Sequence, residues 1–232
     1  VEGALISVVI PTLDEATHIE RTLDSARDPR VVERIVVDGG SSDDTSRRAA
    51  AAGGMVVESP PGRAHQLNRG AELATGEILL FVHGDTLLPS GFGAEVMRVL
   101  DGASIAAGAF PVRLDEPGLT CRLIERGVNW RSKALQLPYG DQALFMARDT
   151  FRDLGGYPNQ PLMEDYVLVR AVRRLGRIGL ARKPVITSAR RWRSLGPVRT
   201  TLINQMVIVG YHLGVSPARL ARLYGVRGRR SG

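Results

Sequence analysis

Several side chains able to do chemistry lie directly behind short apolar runs. Pro11, Thr12 and Glu15 follow Ile6–Ile10, Asp38 follows Arg34–Val37, and His83 and Asp85 follow Glu77–Val82. Hard oxygen donors of this kind suit Mg²⁺ or Mn²⁺, which takes one or two carboxylates and completes its shell with substrate phosphates. Asp85 is the leading carboxylate for that role. A carboxylate directly after a buried strand can instead cap the helix that follows, and spacing alone divides Asp38 and Asp85 evenly between the two uses. The turn Pro11-Thr12-Leu13-Asp14-Glu15 contains no glycine. That excludes a Rossmann fingerprint and a P-loop, so a phosphate must be held another way.

The apolar runs read as the strands that position these residues. Ile6–Ile10, Arg34–Val37, Met55–Glu58 and Glu77–Val82 alternate with helical patterns over 15–27, from Ser41 or Ser42 onward with Asp43 and Asp44 in the first turn, and over 63–75 with Gly76 as its end. Alternation of this type makes βαβ units and a parallel sheet. Ligands bind beyond the carboxyl ends of such strands, so the residues named above face one crevice. Farther on, Ile105–Leu114 reads as one long or broken strand, 120–135 as a helix, Ala143–Ala147 as a strand, 164–175 as a helix and Lys183–Thr187 as a strand. The segment 198–213 is apolar but holds Asn204, Gln205 and His212.

The 232 residues are 44% apolar and 24% charged, an ordinary globular composition that excludes a disordered chain, a collagen or a disulfide-rich miniprotein. With Cys121 as the single cysteine there is no intrachain disulfide and no thiolate metal site, which fits a reducing, cytoplasmic setting. The N-terminus lacks the pattern of a signal peptide, and no apolar stretch reaches the length of a spanning helix. Charge is strongly segregated. Residues 1–165 carry all 24 acidic groups and 16 Arg or Lys, netting −8; residues 166–232 carry 15 Arg or Lys and no acid, netting +15. The C-terminal third should therefore seek anions.

The motifs, taken together, carry a family resemblance. Ser7-Val-Val-Ile-Pro-Thr-Leu-Asp-Glu15, Ile35-Val-Val-Asp-Gly-Gly-Ser-Ser-Asp-Asp-Thr45, Arg63 with Asn68-Arg-Gly70, and Ala74-Thr-Gly-Glu-Ile78 resemble the donor half of family 2 glycosyltransferases. The likeness continues through His83-Gly-Asp85, Gly140-Asp-Gln142 and Glu164-Asp165 with Arg170, to about residue 192. It implies an α/β GT-A fold with a mostly parallel central sheet flanked by helices. Its extent makes 1–190 the catalytic domain (donor half 1–103, acceptor half 104–190), and the pattern along the chain leaves 191–232 as a basic helical appendage.

The resemblance also implies roles. Pro11, Thr12 and Glu15 would lie at the nucleotide base and ribose, and Asp38 would bond the base. Arg63 and Asn68 would line the nucleotide side. Asp85 would be the last carboxylate of the DxD motif and hold a divalent cation, Mn²⁺ or Mg²⁺, with His83 as a second candidate ligand. Asp141 and Gln142 would face the sugar or acceptor. Asp165 would be the general base, with Glu164 supporting it because adjacent helical residues point apart. Such chemistry needs a base opposite the leaving group and positive charge on the departing diphosphate.

The chain departs from the family pattern in three places. The motif reads His83-Gly84-Asp85, without its first carboxylate. Asp38 is followed by Gly39 rather than by a second aspartate. The Gln-x-x-Arg-Trp motif of processive members falls on Ser188–Trp192, where Arg191 and Trp192 survive as acceptor-side candidates and the glutamine does not. With no flanking membrane spans in the sequence, these changes argue against a polysaccharide synthase and for transfer of a single sugar to a hydroxyl acceptor; Asp38 and Glu15 can hydrogen-bond uracil or guanine, so UDP- and GDP-linked donors both stay open. Two other functions compete. A sugar-phosphate nucleotidyltransferase would show a Gly-rich basic signature near the first strand, which is missing. A non-catalytic binder of nucleic acid or anionic lipid would use the basic third, but aromatics make up only 5% of the chain and do not interleave with the arginines, so no nucleic-acid partner is expected.

His18, His65 and His212 read as plain surface or core residues. Leu202–Val209 with Tyr211 and Leu213 reads either as a helix packed on protein or as an interfacial helix. In the second case Arg219, Arg222, Arg227, Arg229 and Arg230 would lie at an anionic membrane face, beside a lipid-linked acceptor.

Overall fold

The computed structural model describes residues 3–224, apart from the side chains of Arg191, Pro197 and Val198. Arg227, Arg229 and Arg230 lie outside the described residues. The first half of the chain runs β1 (Ile6–Thr12), α1 (Ile19–Ser25), β2 (Val31–Asp38), α2 (Thr45–Ala51), β3 (Met55–Glu58), α3 (Arg63–Leu73), β4 (Ile78–Phe81), β5 (Thr86–Leu87) and α4 (Phe92–Leu100). The second half runs β6 (Ile105–Ala109), β7 (Val112–Leu114), α5 (Leu119–Leu135), a 3₁₀ turn at Gly140–Gln142, β8 (Phe145–Ala147), α6 (Arg148–Asp153), α7 (Glu164–Leu175), β9 (Arg177–Leu180), β10 (Val185–Thr187), α8 (Arg190–Leu195), α9 (Pro197–His212) and α10 (Pro217–Tyr224).

A seven-stranded sheet has the order β3-β2-β1-β4-β8-β6-β9, and a three-stranded sheet the order β5-β10-β7. β1, β2, β3 and β4 are mutually parallel, and β8 runs antiparallel to both β4 and β6. This is the mostly parallel α/β sheet with flanking helices expected of a GT-A fold. β1 is buried along its whole length, so its alternating side chains feed two cores. Ile6, Val8 and Ile10 pack with Ile19, Leu23, Phe92 and Val96, while Val9 packs with Ile35, Leu67, Leu79 and Val169. On the second face α3 approaches so closely that a Cβ on Gly70 would stand 2.3 Å from Val9 Cγ1. A third cluster joins the start of α7 to the C-terminal helices through Leu162, Met163, Tyr166, Val207 and Leu220.

Three local expectations need correction. The first helix begins at Ile19 rather than at 15. Asp14 takes a left-handed φ of 56°, and the Glu15 N–H donates to Thr45 Oγ1 at 2.8 Å, so residues 14–18 form a pinned turn. Neither Ser41 nor Ser42 caps α2, whose preceding residue is Asp44. Ser41 Oγ donates to Asp38, and the Ser42 N–H donates to Asp14 Oδ1 at 2.7 Å. α3 ends at Leu73, before Gly76, because Ala74 is already extended. Gly76 instead lies against the start of β1, where a Cβ would stand 2.8 Å from the Leu5 carbonyl.

Candidate active site

The carboxyl ends of β1 and β2 are tied together by one side chain of α3. Gln66 Nε2 donates to the carbonyls of Thr12 and Val37, each at 2.8 Å. Thr12 and Asp38 are register partners across β1 and β2. The Asp38 carboxylate accepts the Ser41 N–H at 3.0 Å and the Ser41 hydroxyl, so it shapes its own turn at the position assigned to a nucleotide base. Pro11 is a buried strand residue beside it.

Glu15 is buried and ion-paired with Arg190, whose Nη1 donates to Oε2 at 3.0 Å. The same guanidinium lies 3.3 Å from Asp85 Oδ2. One arginine, 175 positions from Glu15, therefore bridges the carboxylates that follow β1 and β4. Burial raises the pKa of Glu15 against the pull of Arg190, and the Asp85 charge adds to the rise. Burial acts to lower the pKa of Arg190, but Glu15 and Asp85 outweigh it and hold the group charged. Sequence reasoning passed over Arg190. Its signal was its place just past the end of β10, the rule that had marked Asp38 and Asp85.

On the other side of the cavity, His83, Gly140 and Asp165 converge. The Gly140 N–H donates to Asp165 Oδ2 at 2.8 Å. A Cβ on Gly140 would stand 2.9 Å from His83 Nε2 and 3.4 Å from Asp165 Oδ2, so a larger residue would touch the carboxylate and push the His83 ring aside. Burial first, and then the charge of Arg63, lowers the His83 pKa to about 4, so the ring is neutral at pH 7 with a lone pair free. Met163 takes a left-handed φ of 69° and turns the chain into α7, placing Glu164 and Asp165 in the first turn, where the helix dipole favours negative charge. The two side chains diverge. Glu164 is 2% exposed and pairs with Arg63, whereas Asp165 lines the cavity. Burial works against the charge of Arg63, but Glu164 and Asp165 overcome it and raise the arginine's pKa.

The cavity is about 380 Å³ and is lined by Arg63, His83, Asp85, Asp141, Asp165 and Arg190 on its polar side. Leu162, Met163, Tyr166, Trp192, Val207 and Ile208 form its apolar side. Asp141 Oδ1 and Asn204 Oδ1 are buried there without a hydrogen-bond partner, and burial raises the pKa of Asp141. Tyr139, Tyr166 and Asn204 also belong to the lining; the two tyrosines carried no sequence signal, whereas Asn204 stood out only as a polar residue in an apolar segment. His212 is exposed and outside the lining, and it shares a 2.7 Å hydrogen bond with the Tyr166 hydroxyl.

Two expected ligand contacts are replaced by scaffold contacts. Asn68 is spent on the backbone of Tyr157, donating at 2.8 Å and accepting at 2.9 Å. Gln142 is fully buried. It accepts from the Ser132 hydroxyl at 2.6 Å and donates to the Phe110 carbonyl at 3.0 Å, so it anchors the 3₁₀ turn rather than facing the cavity. Arg191 lies in α8, and its side chain is outside the described set.

Among the described residues no group of three or more His, Cys, Asp or Glu is arranged to hold a metal. Asp85 supplies one carboxylate and His83 one neutral imidazole to the same cavity. A cation on a nucleotide diphosphate needs one or two protein ligands and takes the rest from phosphate and water. The donor set fits that kind of cation and not a cage built by protein alone.

No curated protein sequence matches the chain significantly. Solved structures do. Glucosyl-3-phosphoglycerate synthase from Mycobacterium tuberculosis, in complex with Mn²⁺, UDP and glucosyl-3-phosphoglycerate, is 26% identical, with 88% of this chain and 79% of that one covered at a TM-score of 0.62. The same enzyme with Mn²⁺, UDP-glucose and phosphoglyceric acid is 27% identical, with 88% and 79% covered at 0.62. Its complex with Mg²⁺ and UDP is 26% identical over the same shares, also at 0.62. The family model "Glycosyl transferase family 2" matches residues 7–152, which span β1 to α6 and hold Glu15, Asp38 and Asp85. With that match the nucleotidyltransferase and the non-catalytic binder give way, and the chain belongs to glycosyl transferase family 2, the enzymes that move a sugar from a nucleotide sugar.

Proposed function

We propose that this glycosyltransferase moves a single sugar, with inversion, from a uridine diphosphate sugar to a hydroxyl acceptor, with Asp165 as the general base. One observation carries the reading: the Asp165 carboxylate and the Asp85–Arg190 pair line one small cavity. The base and the charge-bearing groups thus stand around one space, as an in-line displacement requires. The choice of uridine follows the UDP-glucose bound in the related crystal structure; a GDP sugar is the comparison donor.

In this reading the acceptor enters along Tyr166, Trp192 and Ile208, and its hydroxyl meets Asp165. The Gly140 N–H on Oδ2 and the Tyr166 N–H on Oδ1 fix the carboxylate while leaving each oxygen a lone pair. Asp165 takes the hydroxyl proton as the new bond to the anomeric carbon forms. The bond from that carbon to the phosphate oxygen breaks, and the electron pair leaves with the diphosphate. Arg190 holds positive charge at that end, and Arg63 holds Glu164 out of the reaction space. A divalent cation held by Asp85, with His83 beside it, would neutralise the leaving diphosphate.

Thermal unfolding against UDP, GDP and their sugars, with and without Mn²⁺, tests the donor assignment. Ligand bound only to the folded state raises stability by RT ln(1 + [L]/Kd). A shift for uridine nucleotides that grows with Mn²⁺ is the expected result. A shift for guanosine nucleotides alone overturns the choice of base, and no shift for any nucleotide overturns the donor site.

A further inference from the structure

α9 is apolar on two opposite faces. Its inner face sends Asn204, Val207 and Ile208 to the reaction cavity. Its outer face exposes Leu202 at 57%, Met206 at 62%, Val209 at 55% and Leu213 at 78%. The steps of four, three and four residues place these side chains in one stripe. Leu223 of α10 adds a fifth large apolar side chain, 74% exposed. Arg199 precedes the stripe at the same helical spacing, and Arg219 and Arg222 stand exposed on α10. Soluble proteins scatter exposed apolar residues singly; a continuous stripe marks a surface that something covers.

Among the described residues nothing covers the stripe. Residues 225–232 offer one apolar side chain, Val226, against three arginines. A second copy fits poorly, because pairing the stripe with itself brings together two acid-free segments, each netting +15 over 166–232. No described helix is long and apolar enough to cross a membrane. An apolar stripe flanked by arginines and free of carboxylates is complementary to the surface of an anionic bilayer, with acyl chains for the leucines and headgroup charge for the arginines.

We propose that α9 and α10 dock this enzyme on an anionic lipid surface through Leu202, Met206, Val209, Leu213 and Leu223, with Arg199, Arg219 and Arg222 at the headgroups. The helix that meets the lipid also walls the cavity, so docking holds the reaction space about one helix diameter, ~10–12 Å, from the membrane. The proposal stands on the exposed face and does not depend on the donor assignment.

Flotation with vesicles tests it. The protein should float with phosphatidylcholine–phosphatidylglycerol vesicles and roughly tenfold less with phosphatidylcholine alone, and added salt should weaken the binding. The triple variant Leu202→Ser, Met206→Ser, Leu213→Ser changes exposed side chains only; it should lose roughly tenfold or more in vesicle binding while keeping the wild-type melting temperature. Arg219→Gln with Arg222→Gln should weaken binding to anionic vesicles without changing binding to neutral ones. Absence of flotation with either vesicle, or triple-variant binding equal to wild type, overturns the proposal. A concentration-dependent dimer that the triple variant abolishes overturns it too and assigns the face to a second copy.

Discussion

The two walls of the cavity are built on opposite principles. The β1–β4 wall rests on buried parallel strands whose end carboxylates are each restrained by neighbours, Asp38 by Ser41 and Glu15 and Asp85 by Arg190, and of the three it is Asp85 that reaches the cavity. The α7–α9 wall is helical, acid-free beyond Asp165, and leaves polar atoms such as Asn204 Oδ1 unpartnered. The first wall presents fixed charges of the kind a nucleotide diphosphate and its cation require. The second presents a mixed apolar surface in which one carboxylate, Asp165, faces the reaction space. The difference teaches that the strand-end wall is preorganised by sheet geometry, whereas the carboxylate proposed as general base rests on one helix start.

Replacing that carboxylate should break the contrast most sharply. Asp165→Asn is nearly isosteric and cannot accept the acceptor proton, so sugar transfer should fall roughly 10²–10⁴-fold. Nucleotide binding, measured by thermal shift, should be retained. Equal loss of both would mean that the two walls are not functionally separate.

A smaller effect is expected on the donor wall. Arg190→Gln removes the cation shared by Glu15 and Asp85, and nucleotide diphosphate affinity should fall about tenfold, the scale of one charge-assisted hydrogen bond. Unchanged affinity by calorimetric titration would confine Arg190 to holding the two loops.

The smallest effect concerns stability. Burial raises the pKa of Asp141, so the folded state holds its proton more tightly than the unfolded chain does. The stability tied to that proton is full below the ordinary aspartate pKa near 3.8 and is lost as pH rises through the folded value. Asp141→Asn removes the buried charge. It should raise the melting temperature by a few degrees at pH 7, and the gain should vanish below pH 4 when unfolding is followed across pH. A gain of the same size at every pH would show that the effect is not electrostatic.

Much of the sheet was legible. β1, β2 and β4 are continuous apolar runs, and a run buried on both faces announces itself without neighbours. α4, α6, β5 and β9 carried no clear signal. α4 follows Pro89 and Gly91 and carries Gly93 in its first turn, which mask its periodicity, and a Cβ on Gly93 would stand 2.3 Å from Asp28 Oδ1. β9 reads Arg-Ile-Gly-Leu, and a Cβ on its Gly179 would meet Val99 Cγ1 at 2.6 Å. In both segments the residue type answers to a neighbour far away in the chain. The local pattern is therefore broken for a reason that only packing reveals.

The sequence by itself determined which side chains end the strands, because strand ends follow from local apolar runs and the ligand side of a parallel sheet follows from strand direction. It thereby marked Asp38, His83 and Asp85, and through family likeness Asp165. Tertiary structure alone decided which of these are free. Asn68 and Gln142 carry the right chemistry and are consumed by the backbone of Tyr157 and Phe110. Glu164 is neutralised by Arg63 from 101 positions away, and Glu15 by Arg190 from 175. Contacts across such separations leave no trace in local spacing, since the chain between them sets neither the distance nor the direction at which the two groups meet.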